Sequence, residues 1–125
     1  TQKFKGTGQY IEMNRIKGAR GYIHNHPNKS KYSYLPSPED IGVSCIMTNI
    51  EKTENSVCGV IDHRGRSTIT VVHHKADRDE TWHSSLREYR TYVFVREKER
   101  AYEIALKGIE YLVNRELIEI YRMVE

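Results

Sequence analysis

The sequence predicts an α/β (α+β) domain, a mixed β-sheet flanked by helices, on three observations. Ser37-Pro38-Glu39-Asp40 is a helix-start signal that opens an apolar-periodic stretch. Two β-branched runs, 56–62 and 67–73, flank a short Gly-containing turn. A long segment, 97–115, repeats apolar side chains at helical spacing. A chain of 125 residues has the size of one domain and can bury a core without disulfides.

From the N-terminus, residues 9–18 place Tyr10, Ile11, Met13 and Ile16 so as to suit a short helix capped by Gly18, with a strand as the alternative. Residues 20–25 (RGYIHN) read as a short buried strand running into a polar, aromatic loop from Pro27 to Pro36. Ser37 is a preferred N-cap, Pro38 suits the first helical position and acids favour the first turn. A helix is therefore expected from Ser37 to about Ile50, with Ile41, Cys45 and Thr48 on one stripe. Residues 56–62 (SVCGVID) and 67–73 (STITVVH) form a hairpin about the turn His63-Arg64-Gly65-Arg66. The polar segment 74–90 matches neither period and is left open between helix and mobile chain. Residues 91–95 (TYVFV) read as a strand, 97–115 as the longest helix, carrying Ala101, Ile104, Ala105, Gly108, Ile109 and Leu112, and 117–124 as a final strand.

Composition narrows the function classes. Charged residues make up 30% and the net charge is +3, which permits nucleic-acid contact without arguing for it. Apolar runs are only a few residues, far short of the ~20 needed to cross a bilayer, and no signal peptide is visible. Cys45 and Cys58 form no CxxC pair and read as buried free thiols of a reducing cytoplasm. The opening Thr-Gln-Lys-Phe-Lys, without Met, suggests a fragment of a longer chain.

One segment carries chemistry. His24-Asn25-His26-Pro27 is followed by a loop and then Ser37-Pro38-Glu39-Asp40. Histidines at i and i+2 on a strand face the same side, so their imidazoles can share one ion. Asp40, in the first helical turn, can point its carboxylate back at that strand. Two imidazoles and a carboxylate, with a fourth position for water, make an open zinc site of the catalytic type. Ser37 has two possible tasks, capping the helix and donating its hydroxyl to an oxyanion beside the metal. An HxH pair alone is also compatible with two surface histidines.

The segment resembles the JAMM/MPN metallopeptidase motif, HxHP followed by SxxD, and its His-Asn-His-Pro wording is similar to the RadC branch of that fold. The resemblance is specific over about residues 20–65. It implies a cytidine-deaminase-like architecture and a single domain over 1–125, forming the C-terminal part of a longer chain and lacking its N-terminal strand. It also implies His24, His26 and Asp40 as ligands of Zn2+ and Ser37 as the residue that steadies the tetrahedral intermediate. The implied activity is cleavage of a peptide or isopeptide bond in a protein or peptide substrate, ubiquitin-like conjugates among them. The loop between His26 and Ser37 is longer than the family's. The family's general-base glutamate lies on an early strand, whereas the one glutamate ahead of His24 is Glu12, on the expected 9–18 helix. The base is therefore expected on a part of the protein that precedes this chain. Two rival readings are a non-catalytic MPN-type interaction module and a RadC-like DNA-associated protein. Nucleic acid is disfavoured as a partner by the modest charge and by the lack of a helix-hairpin-helix segment.

Other features have plainer accounts. His73, His74 and His83 could form a second metal cluster but read as ordinary exposed histidines, and His63 as solvated. Arg64-Gly65-Arg66 is a charged hairpin tip. Tyr32 and Tyr34 either line a substrate groove or pack the motif loop down. Residues 96–100 are a solvated helix start.

Overall fold

The computed structural model describes residues 20–26 and 32–123, and the expected helix at 9–18 and Glu12 lie outside them. The elements, in order, are β1 (Gly21–His26), α1 (Pro38–Glu51), β2 (Asn55–Asp62), β3 (Ser67–His73), a 3-10 turn (His74–Arg78), α2 (Glu80–Phe94), α3 (Lys98–Asn114) and β4 (Ile118–Met123). The described residues thus form an α+β domain with a four-stranded mixed sheet in the order β1-β2-β3-β4. β1 and β2 are parallel, as the α1 crossover between them requires. The β2–β3 and β3–β4 pairs are antiparallel.

Helix α1 begins where the local chemistry directs. Ser37 is extended at φ −80°, ψ 163°, and forms a capping box with Asp40. Ile41, Cys45 and Thr48 are all buried on the stripe facing the sheet. The hairpin turn is fixed by Gly65, whose φ of 76° an L side chain rarely adopts, and by Asp62. The Asp62 carboxylate accepts from the backbone N–H groups of Arg64 (2.9 Å) and Arg66 (2.8 Å) and from Arg66 Nε (2.7 Å).

The polar segment 74–90 resolves into the 3-10 turn and most of α2. The Asp79 side chain caps α2 by accepting from Trp82 N–H at 2.8 Å. Tyr111 Oη donates to the same carboxylate at 3.0 Å, so the cap also ties α2 to α3. From that start, Trp82 and Leu86 repeat at helical spacing and are buried.

The strand expected at 91–95 is corrected by the structure: those residues are the last turn of α2 and its cap. The helical register set at Asp79 carries through them, Val95 N–H bonds Thr91 O at 3.0 Å, and Phe94 is 87% exposed with no sheet neighbour to reward an extended backbone. A second correction concerns β1. It is half-buried in alternation rather than buried throughout, because one face of the sheet meets the helices while the other, which carries Ile23, is open.

The core lies between one sheet face and the three helices. Ile41, Cys45, Val72, Trp82, Leu86, Ile109, Leu112 and Ile118 form one cluster, with Ala76 of the 3-10 turn beneath them. Both cysteines are free and buried, as expected. Among the described residues no helix is long and apolar enough to cross a membrane.

Trp82 is the largest fully buried side chain of that cluster. Trp82→Ala should lower the free energy of unfolding by about 3–5 kcal/mol, read from urea titration. A loss below about 1 kcal/mol would show that α2 does not share the core.

Candidate metal centre

β1 and α1 supply the site, and the β1–α1–β2 crossover brings them together. The alternation of β1 puts Tyr22, His24 and His26 on the sheet face that meets the N-terminus of α1. Gly59 lets this happen at close quarters. It lies opposite Ile23 in the parallel register, and a Cβ there would fall 2.8 Å from Ile23 Cγ1. A larger residue there would have to displace the Ile23 side chain.

His24, His26 and Asp40 converge, as the sequence pattern suggested. The Nε2 atoms of His24 and His26 are 2.7 Å apart. His24 Nε2 lies 3.1 Å from Asp40 Oδ1, and His26 Nε2 lies 3.1 Å from Asp40 Oδ2. The three side chains are 11%, 18% and 15% exposed, so the cluster is shielded but reachable. Among the described residues it is the one group of three or more His, Cys, Asp or Glu side chains that could hold a metal ion.

Each ligand is oriented from behind. The Ser37 N–H donates to Asp40 Oδ2 at 2.7 Å, and the Asp40 N–H donates to Ser37 Oγ at 3.1 Å. The capping box that starts the helix therefore also aims the carboxylate. Tyr22 Oη donates to Asp40 O at 2.8 Å, and its ring stacks on His24 with centroids 5.3 Å apart. His26 Nδ1 lies 2.9 Å from the Ser33 carbonyl. A carbonyl accepts and cannot donate, so Nδ1 carries a proton, and in the neutral ring Nε2 presents its lone pair to the cluster.

The donor set fits a small divalent cation. A tetrahedral ion with bonds of about 2.0–2.1 Å spaces its ligand atoms by roughly 3.3 Å. Each Nε2 lies close to that from one carboxylate oxygen, His24 from Oδ1 and His26 from Oδ2, and the two imidazoles need open by only about half an ångström. His24 Nδ1 is buried and has no hydrogen-bond partner. That ring is therefore oriented only through its stacking on Tyr22 and through whatever its Nε2 faces.

The electrostatics agree. Burial pushes the Asp40 carboxyl up, but hydrogen bonds from His24, His26 and the Ser37 N–H outweigh it and hold the group well below the ordinary carboxylate range. Burial pulls His26 down, but its bond to Asp40 raises it above the ordinary imidazole value. Burial pushes both thiols up to about 12, Cys45 with help from Asp77 and Cys58 with help from Asp40, so neither offers a thiolate ligand at neutral pH.

Ser37 is placed at the site as a cap. Accepting from Asp40 N–H uses one lone pair and leaves the hydroxyl proton available, so capping and donating to a bound oxyanion are compatible. The sequence pattern did not point to Tyr22 or Ser33. Tyr22 was accessible by the same i, i+2 rule that pairs the histidines, whereas Ser33 lies in an irregular loop that no local period places beside His26.

The remaining candidates lie elsewhere. His73 and His74 are half-buried and adjacent, with centroids 4.4 Å apart, and His83 contacts the Asp77 carbonyl; among the described residues none joins a metal-binding group. His63 is exposed. Tyr34 packs the loop down, its ring lying under the guanidinium groups of Arg66 at 4.6 Å and Arg122 at 5.0 Å, while Tyr32 rests against Tyr102. The 96–100 segment is exposed.

No protein-family model, curated protein or solved structure matches this chain.

The shifts set a pH signature. His26, raised above 6.5, contributes stability that is fully present below pH 6.5 and lost as pH rises through its folded value. Asp40, lowered from 3.8, contributes stability that is present above pH 3.8 and lost as pH falls through its folded value. In chelator, the stability advantage of wild type over His26→Gln should therefore shrink from pH 6 to pH 8. With saturating divalent cation it should grow over the same interval, because the ion takes the neutral imidazole. Thermal melts of both proteins check this, and an advantage in chelator that grows with pH would refute the His26–Asp40 pairing.

Proposed function

We propose that this chain is a zinc-dependent hydrolase domain of the JAMM/MPN type that cleaves a peptide or isopeptide bond in a protein or peptide substrate, ubiquitin-like conjugates being one such class. The observation that carries this reading is the convergence of His24 Nε2, His26 Nε2 and the Asp40 carboxylate on one point, at separations of 2.7–3.1 Å. Two imidazoles and one carboxylate leave a tetrahedral ion with one open position, which is the catalytic rather than the structural zinc arrangement. The β1–α1–β2 order, with His24 and His26 closing the strand and SxxD opening the helix, supports the same assignment.

Zinc held there would lower the pKa of a water and polarise the substrate carbonyl. The protein's own residues would do the rest. The Ser37 hydroxyl, on the first turn beside Asp40, would donate to the developing oxyanion. The half-buried Tyr22 and the capping box would hold the ligands so that no reorganisation is needed during reaction. A carboxylate must take the proton from the water. The reading places that base outside the described residues, where Glu12 is the one glutamate ahead of His24.

A second reading has one observation in its favour: among the described residues no further carboxylate joins the three ligands. In that reading the chain is a metal-stabilised interaction module. A RadC-like, DNA-associated role would instead show as nucleic-acid affinity falling steeply with salt.

Mass spectrometry of the purified chain should find about one zinc per chain, and His26→Ala should remove it. With zinc bound, hydrolysis of an isopeptide-linked substrate should fall by roughly a hundredfold in Ser37→Ala while zinc is retained. Bound zinc with no hydrolysis of any peptide or isopeptide substrate would hand the chain to the interaction-module reading. No metal uptake, even from added zinc, would sink the hydrolase reading.

A further inference from the structure

Ser33 touches two things at once. Its carbonyl takes the Nδ1 proton of His26 at 2.9 Å, and its hydroxyl donates to Asp62 Oδ2 at 3.1 Å. Asp62 is the register partner of His26 on the neighbouring strand, so both side chains emerge side by side on the same face. The Asp62 side chain is 0% exposed and Ser33 is 4% exposed. A carboxylate buried to that degree is costly unless its lone pairs are filled. Here they are filled by Ser33 Oγ, the N–H groups of Arg64 and Arg66, and Arg66 Nε. Capping the hairpin turn accounts for the Arg64 and Arg66 bonds and leaves the Ser33 bond unexplained.

The loop that carries Ser33 is docked on the hairpin at further points. Thr68 Oγ1 donates to the Tyr34 carbonyl at 2.7 Å, and the Tyr34 ring lies under Arg66 and Arg122. The long loop between β1 and α1 is therefore located, where it passes His26, by the β2–β3 hairpin. A carbonyl on an untethered loop would orient an imidazole poorly. A carbonyl tethered through its own side chain to a buried carboxylate fixes both tautomer and ring direction.

We propose that Asp62 is a positioning residue of the metal centre: through the Ser33 hydroxyl it holds the Ser33 carbonyl against His26 Nδ1 and so keeps His26 Nε2 free for the ion. The inference rests on the reading of His26 as a ligand, and it adds to that site a residue from β2 that touches neither ion nor substrate. Removing such an outer partner weakens metal binding by about ten- to a hundredfold.

Two variants separate this role from a purely local one in the hairpin. Ser33→Ala removes the bridge and leaves the three Arg64 and Arg66 bonds to Asp62 in place. It keeps the test open should Asp62→Asn fail to fold. Zinc titrations should give about a tenfold or greater loss of affinity in each variant, and the double variant should be no weaker than the worse single one, because both break the same link. Long-range proton–nitrogen NMR of the imidazoles, in chelator at alkaline pH, reads the tautomer without metal. His26 should be Nδ1-protonated in the wild type and a mixture of tautomers in Ser33→Ala. If Ser33→Ala leaves both the affinity and the tautomer unchanged, Asp62 serves the hairpin alone and the proposal is overturned. If the wild type takes up no zinc while the tautomer still scrambles in Ser33→Ala, the positioning role stands and the metal reading falls.

Discussion

Three electron-pair donors crowded into one small space repel one another unless positive charge lies between them. His24, His26 and Asp40 are held in that way, within 3.1 Å of each other, and the surrounding structure keeps them there. Protons meet the demand only in part. The His26 Nδ1 proton is committed to the Ser33 carbonyl, and the lowered Asp40 pKa keeps the carboxylate anionic through the physiological range. A divalent cation meets it fully, with each donor offering one lone pair. The Ser37–Asp40 capping box and the Tyr22 stack hold that crowded point together.

The parts of this site that were legible in the sequence are those where one short-range rule fixes a direction. Alternation along a strand puts His24 and His26 on one face. Ser37-Pro38-Glu39-Asp40 sets a helix start, and the first turn places Asp40 three residues from its cap. The Asn55–Asp62 and Ser67–His73 strands follow from β-branching and an intervening Gly, and α3 from its long apolar stripe.

The parts that were not legible depend on long-range partners. Residues 91–95 have strand composition, yet a strand needs a neighbour to bond with, and the Asp79 cap had already committed the chain to a helix. Which end of a polar segment wins is decided there by one carboxylate, itself held by Tyr111 from α3. Ser33 lies in an irregular loop, so no local period places its carbonyl beside His26 or its hydroxyl beside Asp62. Asp62 is found only once the register places it beside His26.

The site also bears on the fold. Among the described residues β1 is bonded on one side only, to β2, and Ile23 on its outer face is 71% exposed. A strand held that way opens more readily than one bonded on both sides. Two of the three side chains belong to β1 and the third to α1, so an ion shared among them would tie this strand to that helix. Metal-binding free energy is released only in the folded arrangement and adds directly to its stability. The three side chains are 11%, 18% and 15% exposed, so a cation held by them would stay within reach of solvent while anchored to two elements of the fold.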